Sequence, residues 1–308
     1  MTQQITRTTQ GVYMIAATPF TETGAVDHES LRRLTDFYLG HGVTGLTILG
    51  MMGEANKLTP DERQAVIDTV LARTGDIPVV VGVSDPGLGN LADLGRYAMD
   101  KGAAGLMVAP VAGPAREDRI EAYFHSVCKA VGAQTPLVFQ DFPLATNLPV
   151  SPALIRRLST DCPQIVMLKH EDWPGLSKIT ALRDMESNPA HPRLSILVGN
   201  GGLYLPQELQ RGADGAMTGF AHPEALVQTV ALHHAGSPDA AEDLFDIYLP
   251  ILRHEQQPGF GLAVRKYLLM KRGAIACAAT RAPGPKLGPL DIAETDRLVA
   301  RLERRLAG

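Results

Sequence analysis

The sequence predicts an α/β fold, a (β/α)8 (TIM) barrel with a C-terminal helical extension, on three observations. Short apolar runs rich in β-branched residues, bounded by Gly or Pro, alternate with longer amphipathic stretches, and eight such pairs count out along the chain. Each short run is nearly continuous in apolar character, as expected of parallel strands covered on both faces. No G-x-G-x-x-G follows the first run, which sets the pattern apart from a doubly wound open sheet with the same alternation. The 308 residues lie within the range of one such barrel.

The elements follow in order. Val12–Phe20 is the first strand, and Ser30–Gly40 carries the first helical periodicity, stopped at Gly42. Gly45–Gly50 is the second strand. Thr59-Pro60-Asp61-Glu62 then offers an N-cap hydroxyl and a proline at the first helical position for a helix over Pro60–Arg73. Pro78–Val83 with Leu91–Lys101 is the third unit, ended by Gly102, and Gly105–Pro110 with Arg116–Val131 is the fourth. Leu137–Pro143 precedes a helix over Pro152–Ser159 that Ser151-Pro152 starts. Ile165–Glu171 pairs with Leu176–Met185, Leu194–Asn200 with Leu203–Arg211, and Gly215–Phe220 with Pro223–His234. Gly102 to Gly105 resembles Gly212 to Gly215, a repeat of helix end, short turn and strand start. Residues 1–235 read as the barrel and 236–308 as a helical extension of the same domain. Its helices are expected at Asp239–Glu255, Leu262–Arg272 and Ile292–Leu306, with a Pro/Gly-rich loop over Ala282–Pro289.

Composition excludes several classes. Hydrophobic residues make up 45% and charged residues 20%, enough for a large core. The net charge of −4 offers no basic face for nucleic acid. No apolar run approaches the roughly 20 residues of a membrane span. The polar stretch Met1–Gln10 has no apolar core of a secretory signal, so a cytoplasmic protein is expected. Cys128, Cys162 and Cys277 are odd in number and lack C-x-x-C spacing, which argues against a disulfide framework or a structural zinc site.

In such a barrel, chemistry sits at the C-terminal ends of the strands. The sixth strand delivers Lys169 and Glu171. A lysine inside an apolar run is costly to bury charged; desolvation favours the free amine, which is a nucleophile. Lys169 reads equally as a strand-exit lysine reaching solvent or pairing with an acid. Strand alternation puts Glu171 on the same side, as a general acid/base or an ion-pair partner, and turns His170 away. The second strand ends in Gly50-Met51-Met52-Gly53, a Gly-rich turn whose N–H groups can cradle a carboxylate; Met51 and Met52 are pocket walls or plain packing. The fifth strand ends with Gln140 and Phe142 on one face and Asp141, a capping or loop residue, on the other. Gly199-Asn200 after the seventh strand is a ligand approach or a simple turn. His254-Glu255 is expected on a helix surface or interface. No motif has metal-ligand spacing.

In order and spacing, Thr18-Pro19-Phe20, the Gly50–Glu54 turn, Pro110, Asp141-Phe142-Pro143, Lys169 and Gly199 resemble the dihydrodipicolinate synthase/N-acetylneuraminate lyase family over nearly the whole chain. The resemblance implies that Lys169 is a Schiff-base lysine, so that no cofactor beyond this covalent lysine is needed. It implies that the Gly50–Gly53 turn holds the carboxylate of a small 2-oxo acid, and that the enzyme is a homotetramer. Four departures stand out. Gln140 occupies the family's tyrosine position, and Met51-Met52 replace its hydroxyl pair. Ala145 stands where the biosynthetic synthases carry an arginine, and Val111-Ala112 stand in place of an aromatic pair. Gln140-Asp141, Lys169-x-Glu171, the run Gly212 to Gly219, Leu249-Pro250 with His254-Glu255, and the segment at Gly273 resemble the L-2-keto-3-deoxyarabonate dehydratase branch. The expected function is therefore a hydro-lyase on a 2-keto-3-deoxy sugar acid, with Lys169, Glu171 and Gln140 catalytic. Gly50, Met51, Met52, Gly53, Phe142, Gly199 and Asn200 are expected to bind substrate. A pyruvate-dependent retro-aldolase, a condensing enzyme and a non-catalytic metabolite-binding barrel are the alternatives.

Overall fold

A computed structural model describes residues 3–111, 116–173 and 175–307. Eight parallel strands close into a barrel in chain order: β1 (Gly11–Ile15), β2 (Gly45–Ile48), β3 (Val79–Gly82), β4 (Gly105–Val108), β5 (Leu137–Asp141), β6 (Ile165–His170), β7 (Ser195–Val198) and β8 (Gly215–Thr218). Strand β8 pairs back onto β1. The helices interleaved with them are α1 (His28–Gly40), α2 (Pro60–Thr74), α3 (Leu88–Asp100), α4 (Glu117–Val131), α5 (Pro143–Thr146), α6 (Pro152–Asp161), α7 (Leu176–Met185), α8 (Leu205–Gln210) and α9 (Pro223–His234). Beyond them lie α10 (Pro238–Glu255), α11 (Gly261–Lys271) and α12 (Pro289–Ala307). Among the described residues, no helix is long and apolar enough to cross a membrane.

The strands are shorter than the apolar runs that announced them, and the excess lies at their C-terminal ends. The first run was expected to reach Phe20, yet β1 stops at Ile15. Pro19 has no N–H to donate, Thr18 turns its hydroxyl onto the Gly53 carbonyl at 2.6 Å, and Phe20 makes only an isolated antiparallel bridge with Val26. Burial kept these residues apolar without making them strand. Helix α1 starts two residues before its expected first residue, Ser30, because Asp27 caps it by accepting from the Ser30 N–H. Thr59 and Glu62 close a reciprocal capping box on α2. The turn α5 was not expected, and α8 begins at Leu205 instead of Leu203 because a 3₁₀ turn, Asn200–Gly202, precedes it.

The core has two shells. Tyr13, Met107, Val138, Met167, Leu197 and Met217 fill the barrel interior, with Ile5 tied below them by its N–H to the Ala104 carbonyl at 3.0 Å. Alternate strand residues such as Leu46, Ile48, Leu168 and Ile196 face outward into the shell shared with the helices. Each such fully buried side chain contributes about 1.5–3 kcal/mol relative to exposure.

The extension packs α10 against α8, α9, α11 and α12. The surface half of one expectation fails here. Glu255 is fully buried, not on a helix surface. It shares the inward face of α10 with Tyr248, Ile251 and Leu252. Its carboxylate accepts from Arg265 Nε at 2.5 Å and from the Ala221 N–H at 3.0 Å. Its neighbour His254 meets Thr295 of α12 at 3.1 Å.

Candidate active site

Strand alternation builds the site. Met167 points into the barrel interior, so Lys169 and Glu171 follow it on the same side toward the mouth. Leu168 and His170 point outward, and His170 Nε2 pairs with the Gly175 carbonyl at 3.1 Å. Lys169 is 5% exposed and Glu171 6%. Lys169 Nζ lies 3.0 Å from Glu171 Oε2, and Gln140 Nε2 donates to the same oxygen at 2.7 Å. Gln140 is the register partner of Lys169 across β5 and β6, which puts the three groups side by side. Gly199 makes room for the acid, since a Cβ there would lie 2.2 Å from Glu171 Cγ. Asn200 Nδ2 donates to the Glu171 carbonyl at 3.0 Å.

A buried charge is tolerated only when paired and hydrogen-bonded. Lys169 and Glu171 meet that requirement for each other. Moving one proton from Nζ to Oε2 would leave a free amine beside a carboxylic acid, that is, a nucleophile and a proton donor in one contact. Both residues line a cavity of about 80 Å³ whose wall also includes Gln140 and Phe142. Asp141 faces away, fully buried, and accepts from Lys178 Nζ of α7 at 2.7 Å; its role is to hold α7 on the sheet.

The four residues of the expected carboxylate turn are divided by the structure. Met51 and Met52 line the Lys169 cavity and open a 3₁₀ turn, Met51–Gly53, so their N–H groups have no acceptor within the turn behind them. Gly50 lines a larger adjoining cleft of about 620 Å³, which shares Met51 and Gln140 with the inner cavity. Gly53 lines neither: its N–H is taken by the Gly50 carbonyl and its own carbonyl by Thr18. Behind the turn, Glu54 is 2% exposed and in the left-handed region at φ 53°. Lys266 Nζ holds its Oε1 at 2.7 Å and Lys57 Nζ its Oε2 at 2.8 Å. Burial pushes the Lys266 ammonium below its usual range, while the Glu54 charge opposes the shift. Asn200 lines both the inner cavity and a separate pocket beside Trp173 and Tyr204, whereas Gly199 lines only the latter.

Three polar side chains line the Lys169 cavity without having been singled out: Thr218 at the end of β8, and Gln256 and Arg265 from the extension. Thr218 Oγ1 accepts from the Gly201 N–H at 2.7 Å. No periodicity or spacing announces Gln256 or Arg265, because only the packing of the extension brings them to the mouth. Ala112 lies outside the described residues. Glu121, His125 and Asp161 bring ligand-type atoms within 4.8 Å of one another on the outer helices, away from the lining of this cavity.

Comparison with known proteins matches this architecture. The model of the dihydrodipicolinate synthetase family matches residues 8–304. L-2-keto-3-deoxyarabonate dehydratase from Azospirillum brasilense is 28% identical, over 98% of this chain and 97% of its own. A 4-hydroxy-tetrahydrodipicolinate synthase from Methanococcus maripaludis is 28% identical over 79% of this chain and 82% of its own. Among solved structures, dihydrodipicolinate synthase from Rhodopseudomonas palustris superposes with a TM-score of 0.95 at 45% identity, covering 97% of this chain and all (100%) of the other.

Proposed function

The chain belongs to the dihydrodipicolinate synthetase family, and on that premise we propose that it is a Schiff-base-forming hydro-lyase acting on a 2-keto-3-deoxy sugar acid. The observation that carries the reading is the buried contact of Lys169 Nζ with Glu171 Oε2 at 3.0 Å, with Gln140 on the same oxygen. The full-length likeness to the Azospirillum dehydratase supports the choice of reaction.

The steps balance as follows. The Lys169 amine adds to the C2 carbonyl and water leaves, giving an iminium that acts as an electron sink. Glu171, as carboxylate, removes a C3 proton to give the enamine. The enamine electrons expel the C4 hydroxyl, which leaves as water with the proton Glu171 returns. Hydrolysis of the conjugated iminium consumes one water and frees Lys169, so the product is one water lighter than the substrate. Gln140 cannot titrate near neutrality; its amide holds the Glu171 carboxylate and so sets where the proton moves. The N–H groups of Met51 and Met52 hold the C1 carboxylate, with Phe142 and Asn200 as further walls of the site.

Borohydride trapping tests the reading. With pyruvate or a 2-keto-3-deoxy acid, mass spectrometry should find the reduced adduct on Lys169, and the uninhibited reaction should yield a single dehydrated oxo acid. No adduct with any 2-oxo acid, or an adduct on another residue, would sink it and leave a metabolite-binding barrel. The 45% likeness to the Rhodopseudomonas synthase favours a second reading, a condensing enzyme. Ala145 in place of the expected arginine argues against it, and pyruvate consumption in the presence of an aldehyde co-substrate separates the two. Pyruvate plus an aldehyde as products would instead indicate retro-aldol cleavage. A cytoplasmic homotetramer belongs to the same proposal, and sizing in solution measures the assembly.

A further inference from the structure

Two nitrogens in the inner cavity have no partner among the described residues: Arg265 Nη1 and Gln256 Nε2, both buried. Neither comes from the barrel. Arg265 lies on α11 and Gln256 just after α10, and each reaches the mouth through a gap left by a glycine. A Cβ at Gly219, immediately after β8, would lie 2.1 Å from Arg265 Nη1. A Cβ at Gly201, in the turn after β7, would lie 2.3 Å from Gln256 Cδ. The extension thus inserts two donors exactly where two barrel residues lack side chains, and both donors face the cavity that holds Lys169.

The rest of the Arg265 guanidinium is accounted for. Nε donates to Glu255 Oε1 at 2.5 Å and Nη2 to the Gly219 carbonyl at 2.6 Å. Arg265 is 1% exposed and Glu255 fully buried, so the pair is neutral as a whole and its geometry is fixed. A buried donor without an acceptor is destabilising, and a ligand oxygen at Nη1 would offset that cost. A neutral Arg–Glu pair has no net charge to spend on a second carboxylate, and it fits a hydroxyl oxygen instead. Position agrees. In the closed strand order, β7 adjoins β6 and β8 follows it, while β2 and its Met51–Met52 turn lie further round, beyond β1. Asn200, Thr218, Gln256 and Arg265 make the wall at β7 and β8 polar, whereas Ile15, Met51 and Met52 make the other wall apolar apart from its backbone.

We propose that Arg265 and Gln256 form a donor pair that binds the distal hydroxyl oxygens of a polyhydroxy 2-oxo acid, and so selects sugar acids over pyruvate. The pair rests on the Schiff-base reading above and adds the substrate feature it discriminates. The test compares two ligands that share the reacting end. Adduct formation on Lys169 is titrated with pyruvate and with a 2-keto-3-deoxypentonate, by borohydride trapping and mass spectrometry, in the parent, Gln256→Met, Arg265→Lys and Gly219→Ala. Arg265→Lys keeps a cation for Glu255 but loses the forked nitrogen, and Gly219→Ala displaces that nitrogen from the barrel side. Gln256→Met keeps the test open if a substitution at the buried pair prevents folding, which a thermal melt reveals. The expected result is a fall of about 10–100-fold in the preference for the pentonate over pyruvate, the range of a lost hydrogen bond to a charged donor. An unchanged preference, or an equal loss with both ligands, overturns the proposal; equal loss would place the pair at the C1 carboxylate or give it a purely structural role. If the parent forms no adduct with either ligand, the Schiff-base reading fails and this inference falls with it. If the parent forms both adducts and the variants keep its preference, only this inference fails.

Discussion

In the proposed reaction the chemistry turns on Glu171, which meets both Lys169 and Gln140 through one oxygen. Replacing it with Gln keeps the shape and a hydrogen-bond acceptor but removes the proton carrier. Turnover should fall by about 10²–10⁴-fold, the usual contribution of general acid–base catalysis, while borohydride still traps an adduct on Lys169. Steady-state assays beside trapping check this, and near-parental turnover would remove Glu171 from the role. Lys169 and Glu171 were legible in the sequence because alternation in a strand is a local rule. Two residues apart means one face, and a charged pair in an apolar run stands out. Gln140 needed a second fact, the register of β5 against β6, which no local pattern contains. Arg265 was not legible at all: its neighbours at the mouth come from distant segments, and an arginine next to a lysine in a helix reads as surface. For Glu255 surface and interface stood as alternatives, and no local pattern chose between them. Its burial follows from Arg265, the partner ten positions away.

At the scale of elements, the turn after β2 shows how a short segment is made rigid. Met51–Gly53 is a single 3₁₀ turn, and nothing within three residues could hold it still. The restraint comes from below, where Lys266 of α11 and Lys57 share the two oxygens of Glu54, and the Arg281 N–H adds a third donor at 3.0 Å. Lys266 is fully buried and also lies 4.3 Å over the Phe20 ring. Lys266→Met removes the ammonium and leaves a buried carboxylate with fewer partners, so stability should fall by about 3–5 kcal/mol. Chemical denaturation measures the loss. Binding of pyruvate should weaken with it, because the same contact orients the N–H groups of Met51 and Met52. A variant with parental stability would show that Lys57 alone suffices for Glu54. The apolar runs located all eight strands, but they overran the C-terminal ends of several. There the residues are buried by the mouth and the extension, and burial selects apolar side chains whether or not the backbone is in a ladder. Hydrophobicity reports burial first and strand only by implication.

At the scale of the molecule, the open question is whether residues 236–308 melt with the barrel or apart from it. The contacts argue for one cooperative unit. The ties that cross between the two parts include Glu255–Arg265 around the end of β8, Lys266 on Glu54 under the β2 turn, and Arg281 on α2. Arg281 holds both oxygens of Glu62 at 2.6 Å and also donates to the Gly24 and Lys57 carbonyls. Hydrogen bonds from Arg281 bring the Glu62 carboxyl down to about 2 from its ordinary 4.5. The folded value is the lower one, so this tie contributes its full stability above pH 4.5 and loses it as pH falls toward about 2. Glu62 is partly exposed, so the contribution is modest, about 0.5–1 kcal/mol. Glu62→Gln should therefore be less stable than the parent by that amount near pH 7, with the gap closing as pH falls from 4.5 to 2. Trp173, the one tryptophan, sits in the loop after β6 against Tyr204 and reports on the barrel's mouth, while far-UV circular dichroism reports on all helices including α10 to α12. In a single cooperative unit the two signals follow one denaturation curve at neutral pH, in parent and variant alike. A helical signal that is lost before Trp173 fluorescence changes would make the extension a separate folding unit. Arg265 and Gln256 would then be able to leave the mouth without the barrel opening, and the specificity assigned to them would depend on how often the extension is docked.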